Sequence, residues 1–153
     1  FELLIVGDGE ADEKTKLMAM AEETHVAQHI HWLGFQSGEP LADAYRRASV
    51  FVLPTREDCF GLVLLEALCS GTPIVASKYA DGAYDIVHPG ENGLIVDPED
   101  TNALTEAIDS ILSSEEIQRR YSQNCRQYIP QFEFETGMQG YLQAIASVTS
   151  GNK

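Results

Sequence analysis

The chain has 153 residues, 44% hydrophobic and 22% charged, with a formal net charge of −14. That length suits one domain burying roughly two-thirds of its unfolded surface. The acidic balance excludes a nucleic-acid-binding role, since phosphate contacts need clustered Lys and Arg, and the adjacent pairs Arg46-Arg47 and Arg119-Arg120 read as solvated helix faces.

Short apolar runs alternate with helical patterns along the chain. Leu3-Leu4-Ile5-Val6 reads as a strand left through the turn Gly7-Asp8-Gly9. A helix follows from about Ala11 to Thr24, with Leu17, Met18 and Ala21 at helical spacing. Ile30-His31-Trp32-Leu33 is the next strand, ended by Gly34 and a loop to Pro40, and the following helix carries Leu41, Ala44, Tyr45 and Ala48 on one face. Val50-Phe51-Val52-Leu53 is continuously apolar, as expected of a parallel strand covered on both faces.

Pro54 ends that strand, and a helix is expected from about Gly61 to Cys69 with a stop at Ser70-Gly71. Pro73-Ile74-Val75-Ala76 is another buried strand, a short helix lies near Ala83–Val87, and Gly93-Leu94-Ile95-Val96 is the last strand. Beyond Asp100 the chain reads as helical throughout. Leu104, Ala107, Ile108, Ile111 and Leu112 make one apolar stripe, Ser113 with Glu116 suggests a capping box, and a third helix runs from Gln131 to Val148. Strand–helix alternation with right-handed crossovers predicts a Rossmann-like, doubly wound α/β sheet with C-terminal helices. Ligands in such folds sit at the carboxyl ends of the strands, which directs attention to the loops at residues 7–9, 34–40 and 54–61.

The third loop is the most informative. It leads into a helix whose first turn, Gly61-Leu62-Val63, leaves backbone N–H groups unpaired at the positive end of the helix dipole, a natural phosphate site. Gly61 lets a ligand approach the backbone. Glu66 shares a helix face with Leu62 and Val63, so its carboxylate is placed at the same opening, where a pair of sugar hydroxyls would suit it better than phosphate. The plainer reading of Glu66 is a solvent-facing helix residue. Glu57 and Asp58 precede the helix, and capping with dipole compensation competes evenly with a second sugar contact.

Cys59, Cys69 and Cys125 form no C-x-x-C pair, which suits a reduced, cytoplasmic setting and argues against a disulfide framework or a zinc site. Cys59 lies near a helix start but has no His nearby in sequence to act as its base. His29 and His31 lack a third ligand in sequence, and no D-x-D motif stands at a strand end, so no metal is expected. No run is long enough for a bilayer span, and membrane association is not indicated.

The stretch "PTREDCFGLVLLEALCSGTPIVAS" (54–77) resembles the signature of the retaining glycosyltransferases of family 4, whose glutamates are spaced E-x7-E. "LLIVGDGE" (3–10), "IHWLGF" (30–35), "LADAYRRASVFVLPT" (41–55) and "GENGLIVDPED" (90–100) support it in the family's order. The resemblance implies one half of a two-domain GT-B fold: a single C-terminal donor-binding domain (an α/β core over 1–100 and helices over 101–153). Its first strand and helix, which supply a basic pair to the donor diphosphate, and the N-terminal acceptor domain would lie outside this chain. It also implies transfer of a sugar from a nucleotide-diphosphate sugar with retention of anomeric configuration and without metal. The 153-residue chain alone would then be inactive, and its last helix, crossing back toward the other domain, would be loosely held.

The resemblance assigns Glu66 to the ribose hydroxyls, and Phe60, Gly61, Leu62 and Val63 to the diphosphate and donor sugar. Leu33, Gly34 and Phe35 go to the nucleobase wall, and Gly7, Asp8 and Gly9 to the interdomain cleft. The first acidic place falls on Asp58 where the family has glutamate, with Glu57, one step too early, as the alternative. Other readings of the same half-domain are a non-catalytic nucleotide-sugar or interaction module and a glycosyl phosphorylase or sucrose-type synthase. A flavodoxin-like receiver domain fits poorly, because Asp8 stands alone at the end of the first strand.

Overall fold

The computed structural model describes residues 1–150, and contacts group the chain into two compact units, Phe1–Arg47 and Ala48–Lys153. Each is taken by itself.

In the first unit, β1 (Leu3–Val6) is followed by α1 (Ala11–Glu23), a 3-10 turn (Ala27–His29), β2 (Ile30–Gly34) and α2 (Glu39–Arg47). β1 and β2 pair in parallel, Leu3 opposite Ile30, and the register slips between Ile5 and Val6 so that Val6 faces Gly34. The α1 stripe expected to be inward is mostly outward: Ala21 is buried, but Leu17 and Met18 are exposed. A two-stranded sheet offers too little area to cover a full helix face. On α2, Tyr45 is buried while Arg46 reaches Glu39 at 2.6 Å on the solvent side.

The second unit contains β3 (Phe51–Leu53), α3 (Leu62–Ser70), β4 (Ile74–Ser77), α4 (Ala83–Ile86) and β5 (Gly93–Val96), then α5 (Thr101–Leu112), α6 (Glu115–Tyr128), a 3-10 turn (Ile129–Phe132) and α7 (Phe134–Ser150). The sheet is parallel with order β3-β4-β5, and every residue of the central β4 is fully buried. Val75 meets Ala107, Ile111 and Tyr121, with Val52, Leu94 and Leu104 packed around them, so the stripe predicted on α5 does face the sheet. α3 contributes Leu64, Ala67 and Leu68, all without exposure, and packs on β4 and α6. Full burial of that many apolar side chains, at roughly 25 cal/mol per Å², makes this unit the better-consolidated of the two.

Two helix ends differ from expectation. Ser114, not Ser113, caps α6: its backbone is extended (φ −135°, ψ 106°) and its hydroxyl accepts the Ile117 N–H, while Ser113 is still right-handed at the end of α5. The last helix begins at Phe134 and not Gln131, because Pro130 sits in the preceding 3-10 turn and cannot carry an α-helical hydrogen bond there. Phe134, Tyr141, Leu142, Ile145 and Val148 of α7 are all exposed.

Candidate functional site

The loop between β3 and α3 is shaped by its own side chains first. The Thr55 hydroxyl donates to Glu57 O at 2.8 Å and accepts the Glu57 N–H at 3.3 Å. Asp58 Oδ1 accepts the Phe60 N–H at 3.0 Å, the two-residue reach of a short acidic side chain that turns its own backbone. Neither acid caps α3. The cap residue is Gly61, in the left-handed conformation (φ 75°, ψ 61°), with no side chain accepting from the first turn.

Two consequences follow for this end of α3. The Leu64 N–H turns back to Gly61 O at 2.8 Å, while the amides of Leu62 and Val63 belong to the set that a helix start leaves without an intrahelical acceptor. They stand at the positive end of the helix dipole, so the arrangement suits an anion. Gly61 itself is required by packing and by its backbone conformation. A Cβ there would point inward, 3.1 Å from Leu64 Cδ1 and 3.4 Å from Leu53 Cδ2, and φ 75° disfavours any side chain. Packing and backbone conformation therefore account for a glycine at this position, and access of a ligand to the backbone is a separate matter.

Glu66 lies one turn into α3 and is exposed, as are Glu57, Phe60 and Leu62, whereas Asp58 and Val63 are half-buried. The second unit thus gathers Asp58, Phe60, Gly61, Leu62, Val63 and Glu66 on one loop and the first turns of one helix.

Sequence reasoning missed the other side of this loop. Asp58 forms an isolated parallel bridge with Ala80, its N–H donating to Tyr79 O at 3.1 Å and its carbonyl accepting the Asp81 N–H at 3.1 Å. Two cations also stand at the strand ends: Arg56 Nε meets Glu99 at 2.6 Å and Lys78 Nζ meets Asp97 at 2.7 Å. The hydrogen bond from Lys78 holds the Asp97 carboxyl below its usual range, and the same bond pushes Lys78 up. The one signal for this region in the sequence was the Asp81-Gly82 dipeptide, a turn former.

In the first unit, the two remaining predicted loops meet each other. The Gly7 N–H donates to Gly34 O at 2.8 Å, the Phe35 N–H donates to Asp8 Oδ2 at 3.2 Å, and Gly34 is left-handed at φ 65°. Gly9 has open space where a side chain would be. Asp8 thereby fixes the turn that presents Phe35, whose side chain is largely exposed. A cavity of about 340 Å³ in this unit takes Leu33 from that group, with Glu2, His31 and Arg47 among its other walls. His31 Nε2 lies 2.7 Å and His29 Nδ1 3.5 Å from the carboxylate of Glu2, whose pKa is lowered by those contacts, His31 first. Among the described residues no group of three or more His, Cys, Asp and Glu is placed to hold a metal ion, and no helix is long and apolar enough to cross a membrane.

The three cysteines are free. Cys125 is enclosed in the core, where its thiol donates to Thr72 O at 3.4 Å and burial pushes its pKa up to about 12. Cys59 is exposed.

Parallel strands, helix crossovers and a helix start at the strand ends define an α/β domain with a candidate site at that helix end. The sequence profile of the glycosyl transferases group 1 matches residues 1–128, and the chain belongs to that family. A glycosyltransferase of Methanocaldococcus jannaschii is 28% identical over 92% of this chain and 39% of its own length. The solved sucrose-phosphate synthase of Thermosynechococcus elongatus superposes with a TM-score of 0.82 at 30% identity, over 99% of this chain and 39% of that one. The Anabaena protein HepE, solved in complex with UDP, gives a TM-score of 0.83 at 25% identity over 95% of this chain and 41% of its own. HepE has also been solved with UDP-glucose. The chain spans about two-fifths of the length of these relatives.

Proposed function

We propose that this chain is the donor-binding part of a retaining glycosyltransferase that transfers a sugar from a nucleotide-diphosphate sugar to an acceptor. The observation that carries the proposal is the uncapped start of α3, entered through a left-handed Gly61, with Asp58 just before it and Glu66 one turn in. Family membership and the UDP complexes of the Anabaena relative support the choice of ligand class.

In this reading the amides of Leu62 and Val63 and the dipole of α3 face the diphosphate. Negative charge grows there as the bond to the sugar breaks, and fixed donors stabilise it without reorganising. That stabilisation requires no metal. Glu66 accepts hydrogen bonds from the ribose hydroxyls, and Asp58 turns its second oxygen to the donor sugar. In the first unit, Leu33, Gly34 and Phe35 are assigned to the nucleobase, on a turn that Asp8 and Gly7 hold in shape. The acceptor is bound by parts of the protein outside this sequence, so the 153 residues alone complete no transfer. The complete protein acts in the cytoplasm.

A binding screen of UDP-, GDP- and ADP-sugars against the full-length protein tests the proposal. Saturable binding of one of these series, weakened by Glu66→Ala, is expected. Failure of every sugar nucleotide to bind, or turnover by the 153-residue chain alone, contradicts it.

A further inference from the structure

The loop that presents Asp58, Phe60 and Gly61 is braced from the segment between β4 and α4. Besides the bridge from Asp58 to Ala80, the closest approach is made by Gly82. Its backbone lies at φ −66° and ψ −10°, in the right-handed region that any residue adopts. Conformational freedom therefore does not explain the glycine. Space does: a Cβ on residue 82 would stand 2.0 Å from Phe60 O and 2.9 Å from Phe60 C. These are main-chain atoms, which cannot rotate aside as a side chain would.

We propose that Gly82 is a positioning residue for the sugar-nucleotide donor. By admitting the Phe60 carbonyl against its bare Cα, it sets the plane of the Phe60–Gly61 peptide, and through it the direction of the Leu62 and Val63 amides. An inward displacement of Gly61 is opposed by Leu64 and Leu53, whose side-chain ends lie 3.1 and 3.4 Å from where a Cβ on Gly61 would stand. A side chain at residue 82 pushes the Phe60 carbonyl outward by about 1 Å to regain ordinary contact, and hydrogen bonds weaken steeply over such a change. The inference rests on the donor-site reading of α3 and extends it to the residue that fixes the geometry of that site.

The structure contains its own comparison. Gly93 begins β5, at the opposite end of the strands, and a Cβ there would meet Ile74 O at 2.2 Å. Gly82→Ala and Gly93→Ala therefore impose similar clashes, only one of them beside the candidate site. A third variant breaks the brace at another point: Asp81→Pro deletes the N–H that Asp58 O accepts and puts the ring Cδ in its place. Residue 81 is the second position of a turn closed by the Ala83 N–H on Ala80 O at 2.9 Å, where proline is favoured.

The test uses the full-length protein, with UDP and UDP-glucose as probes, calorimetric affinity, melting temperature and amide exchange at Asp58 and Asp81. Gly82→Ala is expected to weaken UDP at least tenfold and to raise the donor KM. It should also lose protection at both amides at a temperature where the protein is folded. Asp81→Pro weakens UDP in the same direction, and Gly93→Ala lowers the melting temperature but leaves UDP affinity within about twofold. Unchanged affinity in Gly82→Ala overturns the inference, as does an equal loss in Gly93→Ala. If Gly82→Ala does not fold, Asp81→Pro decides, and wild-type affinity in that variant overturns it. Absence of binding of UDP, GDP and ADP and of their sugars by the wild-type protein would instead be the failure of the donor reading, and the inference would fall with it; where GDP or ADP binds in place of UDP, the same comparisons are made with that nucleotide.

Discussion

The carboxylate of Asp58 accepts the backbone N–H of Phe60 at 3.0 Å, so one of its two oxygens already holds the loop in shape. Its other oxygen is the one the donor-site reading requires. Asp58→Asn retains an oxygen for the Phe60 N–H but removes the charge, so folding should persist while activity falls. A lost hydrogen bond to a charged group is worth roughly 1.5–3 kcal/mol, or about 10- to 100-fold in kcat/KM. Asp58→Ala should add a loss of loop order, and Glu57→Gln should leave kcat/KM near wild type. Steady-state kinetics of the full-length variants check this, and a larger defect in Glu57→Gln would transfer the role to that residue.

Glu66 is exposed on the first turns of α3. Glu66→Ala should weaken UDP by about 10- to 100-fold if the carboxylate takes two ribose hydroxyls. The melting temperature, measured alongside, separates a loss of nucleotide contacts from a loss of stability. Comparison of UDP with 2′-deoxy-UDP sharpens the test: the wild type should discriminate between them and the variant should not.

Gly61 combines a left-handed backbone with an inward-facing Cα. Gly61→Ala should therefore cost about 1–3 kcal/mol of stability, as a strained backbone with a tight contact requires. Denaturant unfolding measures it. An unchanged midpoint would show that the start of α3 adjusts freely.

Much of this architecture is readable in the sequence, for physical reasons that can be named. Short runs rich in apolar residues give the five strands among the described residues within a residue or two, although only β4 is buried along its whole length and β2 carries the exposed His31. Gly71, left-handed at φ 73°, stops α3 where Ser70-Gly71 predicts. Choosing between Ser113 and Ser114 as a cap was beyond pattern reading, since neighbouring serines differ only in backbone angles. The bracing of Asp58 by residues 79–82 was hidden for another reason: a parallel bridge joins segments separated by a whole helix and strand, and periodicity carries no trace of such pairings. The inward direction of Gly61 was equally invisible, because a glycine in a motif looks the same whether it makes room for a ligand or for Leu64.

Cys125 predicts a pH dependence. Burial raises its thiol from an ordinary value of 9.0 to about 12 in the folded protein. Between those values the unfolded chain loses the proton and the folded chain keeps it. Stability from this group is therefore complete below pH 9 and falls as pH rises toward 12, by up to about 4 kcal/mol at the linkage rate of 1.36 kcal/mol per unit. Cys125→Ala should flatten that alkaline slope even if its stability near neutral pH is lower. Lys78 and Tyr128, also raised, leave a residual slope in both proteins. Equal slopes in wild type and variant would contradict the assignment.

The central claim is that the start of α3 receives the diphosphate of a sugar nucleotide, and a crystal structure of the full-length protein with UDP bound tests it most directly. The account predicts diphosphate oxygens about 2.7–3.2 Å from the amide nitrogens of Leu62 and Val63, with the ribose hydroxyls on Glu66. A nucleotide bound with its diphosphate away from that helix end would contradict it.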